Sequence, residues 1–270
     1  MTTLITGATG NLGSLIVKHL RGRVPELAVS VRDPAKAEGL WLEVRKGDFD
    51  GDLTGVFDGV GTLVLVSVDG PDDLRIARHR NAVAEAVRAG VTRIVYTSVS
   101  DADTSPLGLA AVHKATEELI RDTGIPFTFL RNGMYHENYT PALAHGPITT
   151  AAGDGRIASV SRDDLALAAA VVASTAGHEN KVYELTGPRA WSFAELAELA
   201  GTTHVPVSAA EREAALIGFG LPPFVAGLLT DIEVNIGRGA LAAVRTDLAS
   251  LIGRAPVGIE DAVKAVREAG

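Results

Sequence analysis

The amino-acid sequence predicts an α/β fold: a doubly wound parallel sheet with a smaller, mainly helical C-terminal region. Three observations carry this. Short apolar runs alternate with helical stretches over residues 1–131, a glycine-rich turn follows the first apolar run, and helices dominate after residue 205. Parallel strands covered on both faces read as near-continuous apolar runs, and right-handed helical crossovers place helices on both sides of the sheet.

Each element follows from its local pattern. "TTLIT" (2–6) is the first strand, with a helix over 12–20 behind it. "LAVSV" (27–31), "LEVRKG" (42–47) and "TLVLVS" (62–67) are the next three strands. "DDLRIARHRNAVAEAVRAG" is helical and stops at Gly90, and "RIVYTSV" (93–99) is the fifth strand. "LAAVHKATEELIRDTG" is a helix with Gly124 past its end, followed by "FTFLR" (127–131) as the sixth strand. "VYEL" (182–185) reads as one more strand, with helices over 161–176 and 192–200. "SRDD" (161–164) is a helix start in which a Ser or Asp side chain caps exposed amides. Later helices break at "GFGLPP" and "NIGRG". The expected division is a sheet unit of residues 1–131, completed by about 161–187, and a smaller substrate or cap unit of 132–160 and 188–270.

Composition narrows the function. With 46% hydrophobic residues the chain can bury a large core, and a net charge of −8 argues against nucleic acid or an anionic membrane surface as partner. The chain has no cysteine, which excludes disulfides, thiolate catalysis and Cys-ligated metals. The histidines show no metal-ligand spacing, so no metal is expected. No run approaches ~18 consecutive apolar residues, and "MTTLITG" carries no targeting pattern, so a cytoplasmic protein without a membrane span is expected. The oligomeric state stays open, a homo-oligomer included.

"LITGATGNLGS" places Gly7, Gly10 and Gly13 at three-residue spacing between a strand and a helix. Gly7 permits a tight turn, Gly10 lets a pyrophosphate approach the backbone, and Gly13 lets the new helix pack close to the sheet. Free amides at the positive helix end then face the phosphate, with Thr9 and Asn11 as further donors. Three glycines alone are weak evidence; the strand-turn-helix context makes them a dinucleotide signature. The second strand ends "VRDPAK". Arg32 can grip a 2′-phosphate through two parallel hydrogen bonds, which favours NADP. The competing readings give Asp33 to a ribose, as for NAD, or leave both residues in a solvated turn. Asp48 in "KGDFD" is an adenine contact or an ordinary turn carboxylate.

"TGATGNLGS", "VRDPAKA", "ADTSPLGLA", "RNGMYHENY", "AAGDGRIASVSR" and "KVYELTGPRAWS" together resemble the atypical short-chain dehydrogenase/reductases of the NmrA-like group. More narrowly they are similar to the bacterial NAD(P)H:quinone oxidoreductases of type 2. The resemblance covers residues 1 to about 200 well, and the tail also fits. It implies a Rossmann domain with a small C-terminal domain, NADPH across the sheet edge, and hydride transfer to a quinone. By resemblance, Gly7, Thr9, Gly10, Asn11 and Leu12 line the pyrophosphate and Arg32 faces the 2′-phosphate. Ser67 passes the middle of the cofactor. The loop with Asn132, Gly133, Tyr135, Asn138 and Tyr139 lies beside the nicotinamide end.

One family feature is missing. Ordinary short-chain dehydrogenases carry Tyr-x-x-x-Lys on the helix after the fifth strand, where the tyrosine protonates the carbonyl. Here that helix reads "GLAAVHKATEEL", with Ala110 four residues before Lys114. A quinone tolerates this loss, because its reduced form is aromatic and positioning the two rings supplies much of the rate. His113 and Tyr135 are the catalytic candidates: His113 as a donor to the quinone oxygen, Tyr135 as a flat aromatic partner. His113 bonded to neighbouring backbone, and a packed inter-domain loop around Tyr135, are the alternatives. Lys114 reads as solvated. The expected function is flavin-free, NADPH-dependent two-electron reduction of quinones. The alternative is an NADP-binding redox sensor that regulates a partner without turnover, and a weaker third is an isomerase or lyase that recycles bound NADP.

Overall fold

The computed structural model describes residues 1–144 and 146–269. The chain forms β1 (Thr2–Thr6), α1 (Asn11–Leu20), β2 (Leu27–Val31), β3 (Glu43–Lys46), β4 (Val60–Leu65) and α2 (Asp72–Arg88). β5 (Arg93–Val99), α3 (Ala110–Asp122) and β6 (Phe127–Asn132) follow, then the short β7 (Ile148–Thr150) and β8 (Arg156–Ile157). α4 (Arg162–Ser174) leads into β9 (Lys181–Leu185), which completes a seven-stranded parallel sheet of order β3-β2-β1-β4-β5-β6-β9. The doubly wound α/β expectation therefore holds. The chain leaves β1 toward one edge and resumes at β4 toward the other, so the carboxyl ends of these two strands flank the ligand crevice of such folds.

Strand side chains alternate between two layers. Ile5, Val64, Val95 and Leu130 face α1 and α4, packing with Ile16, Leu20, Leu165 and Ala169. Leu4, Leu63, Ile94, Tyr96 and Phe129 face the other layer, with Ala82, Val83 and Ala86 of α2 and Ile120 of α3. β3, expected as the strand "LEVRKG", is the exception to the apolar pattern: its EVRK is only partly buried. It is an edge strand, and charge there discourages pairing with another chain.

The remaining elements are β10 (Trp191–Ser192), α5 (Phe193–Ala200), β11 (His204–Pro206), α6 (Ala209–Gly218), α7 (Pro223–Gly237), α8 (Asp247–Ile252) and α9 (Ile259–Ala269). β8 pairs antiparallel with β10, and β7 pairs parallel with β11. The sequence reading missed both small sheets, because strands of two or three residues show no alternation. Ser161 caps α4 by accepting from the Asp164 amide at 3.1 Å, as "SRDD" suggested. Ser192 with Glu195 and Ser208 with Glu211 form capping boxes that start α5 and α6. A separate core joins Trp191, Phe193, Ile236 and Leu241 to Val99 and Leu107 of the sheet side. α8, which lies within 188–270, buries its Leu248 in the layer of α1 and α4.

One buried ion pair locks the carboxyl end of the sheet. Arg131 on β6 donates from Nε and Nη2 to the two oxygens of Glu117 on α3, at 2.9 and 2.8 Å. Ser98 Oγ of β5 donates to the same carboxylate at 2.6 Å. Arg131 Nη1 reaches Asp103 at 2.9 Å and Glu184 of β9 at 3.1 Å. Glu117 is 1% exposed, so replacing it with Leu leaves the guanidinium buried without its main counter-charge. Glu117→Leu should destabilise the protein by on the order of 3 kcal/mol in urea denaturation, and an unchanged midpoint would show that the pair is not structural.

Candidate active site

The first glycine turn is an open cradle. Gly7 takes a left-handed φ of 61°, and the Gly10 amide donates back to its carbonyl at 2.9 Å. A Cβ on Gly13 would stand 2.1 Å from the Gly7 carbonyl oxygen, so only glycine allows α1 this close to the turn. The first intrahelical bond is Ser14 N to Gly10 O at 3.0 Å, and no side chain caps Gly10. The amides of Asn11, Leu12 and Gly13 thus precede the helix ladder at its positive end. Gly7, Thr9, Gly10 and Asn11 are exposed, whereas the Leu12 side chain is buried in the α1–α4 core. Leu12 can offer a ligand its backbone only.

At the end of β2 the two candidates separate. Asp33 accepts from the Ala35 amide at 3.1 Å and caps the short 3-10 turn of residues 34–37. Arg32 is exposed and makes no ion pair within 4 Å among the described residues. Asp48 likewise closes a local turn through the Asp50 amide at 3.2 Å.

At the other end of the crevice, Asn132 closes β6. Its carbonyl accepts from Ser100 N at 3.0 Å, and its side-chain Oδ1 is buried with no hydrogen-bond partner among the described residues. An unpartnered buried amide oxygen is costly and points to a missing donor. Gly133 donates to Leu185 O at 2.8 Å, and a Cβ there would lie 3.2 Å from that oxygen. Tyr135 stands under the Arg162 guanidinium, 4.7 Å from the ring centre. Burial raises its phenol pKa, with the adjacent Asn132 amide opposing the shift. Beyond it the loop turns away. Asn138 accepts from Arg162 at 2.8 Å, and the Tyr139 ring meets Trp191 and Phe193 edge-on at 5.5 and 5.6 Å. His136 is fixed between Ser159 Oγ and Val257 O.

Between these ends lies a polar network. Thr6 Oγ1 accepts from Val66 N at 3.0 Å, and Thr97 Oγ1 from Ser67 N at 2.9 Å, tying the ends of β1, β4 and β5. Arg75 of α2 donates from Nε to Val68 O at 2.7 Å and from Nη2 to Ser67 Oγ at 3.2 Å. His113 Nε2 lies 3.2 Å from the same Nη2, and its Nδ1 lies 2.9 Å from the Tyr96 hydroxyl. A guanidinium only donates, so Nε2 accepts and the His113 proton sits on Nδ1, facing Tyr96. His79 Nε2 accepts from Val68 N at 3.2 Å, which places its proton on Nδ1 toward Thr116 at 2.9 Å. Burial, reinforced by the Arg75 charge, holds His113 well below its ordinary pKa and His79 down at about 3. Burial pushes Tyr96 up to about 12. Lys114 is exposed.

A glycine cradle at the switch point of a doubly wound sheet, with uncapped helix amides and an orphaned amide oxygen across the crevice, defines a dinucleotide-binding α/β protein. The chain belongs to the NAD(P)H-binding family, whose model matches residues 7–179. It is 44% identical to quinone oxidoreductase 2 of Escherichia coli, over 96% of each chain. The crystal structure of the NADPH-dependent quinone oxidoreductase of E. coli with NADPH superposes with a TM-score of 0.94 at 42% identity, covering 98% of this chain and 99% of that one. The Citrobacter triphenylmethane reductase complexed with NADP(H) superposes at 0.93 and 37% identity, covering 98% and 99%.

The sequence reading passed over Arg75 and Tyr96. One signal was present: a basic residue in the first turn of α2 opposes the helix dipole, and such local inconsistencies collect at functional sites. The neutral histidines also make stability pH-dependent. Below the ordinary histidine pKa of 6.5 the unfolded chain takes up protons that folded His79 and His113 refuse. Stability is therefore full above that pH and should fall, by roughly 1 kcal/mol per pH unit per histidine, toward lower pH. Urea midpoints should drop between about pH 7 and pH 5, and less steeply in His79→Gln, which keeps an acceptor for Val68 N. A midpoint flat across that range would mean that these histidines are protonated in the fold.

Proposed function

We propose that the protein catalyses NADPH-dependent two-electron reduction of quinones by direct hydride transfer, without a flavin. The observation that carries this reading is the pairing of a dinucleotide cradle with a buried network in which His113 is held between the Arg75 guanidinium and the Tyr96 hydroxyl. None of these yields a proton readily near neutral pH, so the acceptor must take a hydride without a dedicated acid. A quinone does, because its product is aromatic. The E. coli relative, a quinone oxidoreductase, supports the same acceptor class.

In this reading residues 1–131 with about 161–187 hold the cofactor. Gly7, Gly10, Asn11 and Leu12 give backbone to the pyrophosphate, with Thr9 and the Asn11 side chain as further donors. Arg32 takes the 2′-phosphate, for which Asp33, held in its own turn, does not compete. Ser67 lines the middle. Asn132 Oδ1 receives an N–H of the nicotinamide carboxamide, Gly133 permits close approach, and Tyr135 offers a flat face. Asn138 and Tyr139 act on the loop by anchoring it, and His113 acts on the site by fixing Arg75. When bound, NADPH supplies the hydride.

Purified protein should oxidise NADPH on addition of a simple quinone and no flavin. Tight NADPH binding with no quinone-dependent oxidation would overturn the assignment in favour of a redox sensor. Arg32→Ala should weaken NADPH far more than NADH, by about 1.5–3 kcal/mol for each charge-assisted bond lost, measured as Kd. Equal weakening of both would show that Arg32 does not read the 2′-phosphate.

A further inference from the structure

Arg75 is a cation with unfinished valence. Its side chain is 11% exposed, and its nearest carboxylate oxygen, Asp72 Oδ1, stands at 4.0 Å, beyond hydrogen-bond reach. Three of its five N–H donors are spent on Val68 O, Ser67 Oγ and His113 Nε2, which fixes the plane of the guanidinium. Among the described residues nothing accepts from the two donors on Nη1. Placing such a charge at the fourth residue of α2, near the positive end of the helix dipole, largely out of water and with only a distant i,i+3 pair to Asp72, is unfavourable for folding alone. His113 and Tyr96 form the backing that orients it.

We propose that Arg75 receives the negative charge that develops on the acceptor oxygen during reduction. This rests on the quinone reading above. The quinone gains a hydride, two electrons and one hydrogen, from the reduced dinucleotide. One of its oxygens then carries the hydrogen, the other becomes an oxyanion, and water later delivers the proton that completes the hydroquinone. With no acid in the network, the oxyanion needs a preorganised positive donor, and Nη1 is that donor. A fork held by three bonds reorganises little as charge appears, which a flexible lysine cannot match.

The test compares wild type with Arg75→Gln, Arg75→Lys and Asp72→Asn. Arg75→Gln should lower kcat by roughly 10²-fold, far more than any rise in NADPH Kd from loosening Ser67, and the loss should grow with the basicity of the hydroquinone formed. Arg75→Lys should recover part of it. Independently of turnover, para-nitrophenol with oxidised cofactor should bind wild type preferentially as its coloured anion, and Arg75→Gln should abolish that preference. Asp72 is on the surface side of the pair, so Asp72→Asn should strengthen anion binding about twofold to fivefold without disturbing the fold. Retained kcat across the quinone series, or anion binding indifferent to Arg75 and Asp72, would overturn the proposal. Anion binding that depends on Arg75 in a protein without quinone turnover would sustain the charge site and sink the quinone reading alone.

Discussion

The Glu117–Arg131 pair is the constraint on which the acceptor side of the crevice depends. It joins α3 to β6, gathers β5 through Ser98, and reaches β9 through Glu184. Asn132 is the next residue after Arg131, and His113 lies one helical turn before Glu117. A single bidentate contact therefore sets the height of α3 against the end of β6. Isolated buried ion pairs add little net stability, but breaking one is severe. Its value here is geometric: it fixes where the amide of Asn132 and the imidazole of His113 stand relative to each other.

That placement determines the chemistry open to the fold. On the helix where a tyrosine would deliver a proton, the chain has small residues and a histidine turned inward. Arg75 donates to that histidine, and its charge disfavours a second positive charge on His113 or His79. The same guanidinium orders Ser67, at the middle of the crevice. Neutral bases and a fixed cation suit an acceptor that becomes an anion, and they suit poorly an alcohol or ketone that exchanges a proton in the rate-limiting step.

The sheet was legible because its signals are local. Apolar runs, glycine stops and the strand-turn-helix context each depend on a few neighbouring residues, and the seven main strands appeared where those patterns lie. The small sheets of the C-terminal region were not, since a pair such as Trp191–Ser192 with Arg156–Ile157 is defined by partners rather than by period. Of the site, the turn at Gly7–Gly13 was legible for the same local reason. The loop "RNGMYHENY" was read as one unit, yet it divides at Tyr135. Residues before that point close the sheet edge, and Tyr139 packs with the aromatic core of the other region. No spacing in nine residues encodes that division, because it is set by Trp191 and Phe193, more than fifty positions away in the chain.

Arg75 makes the limit of local reading concrete. In sequence it is an unremarked cation among five basic side chains of α2. Its meaning comes from three partners, two in the loop after β4 and one on α3, and from a carboxylate that is too far for a hydrogen bond. A helix that wanted only stability would place acids near its start, as Asp72 and Asp73 do three and two residues before Arg75. The unfavourable choice at position 75 is tolerated because the bonds to Val68, Ser67 and His113 hold it, and it is informative because those bonds leave one end of the fork unused. A residue that folding does not explain, presented at the crevice end of the sheet, is the strongest physical argument that the network serves charge rather than proton transfer.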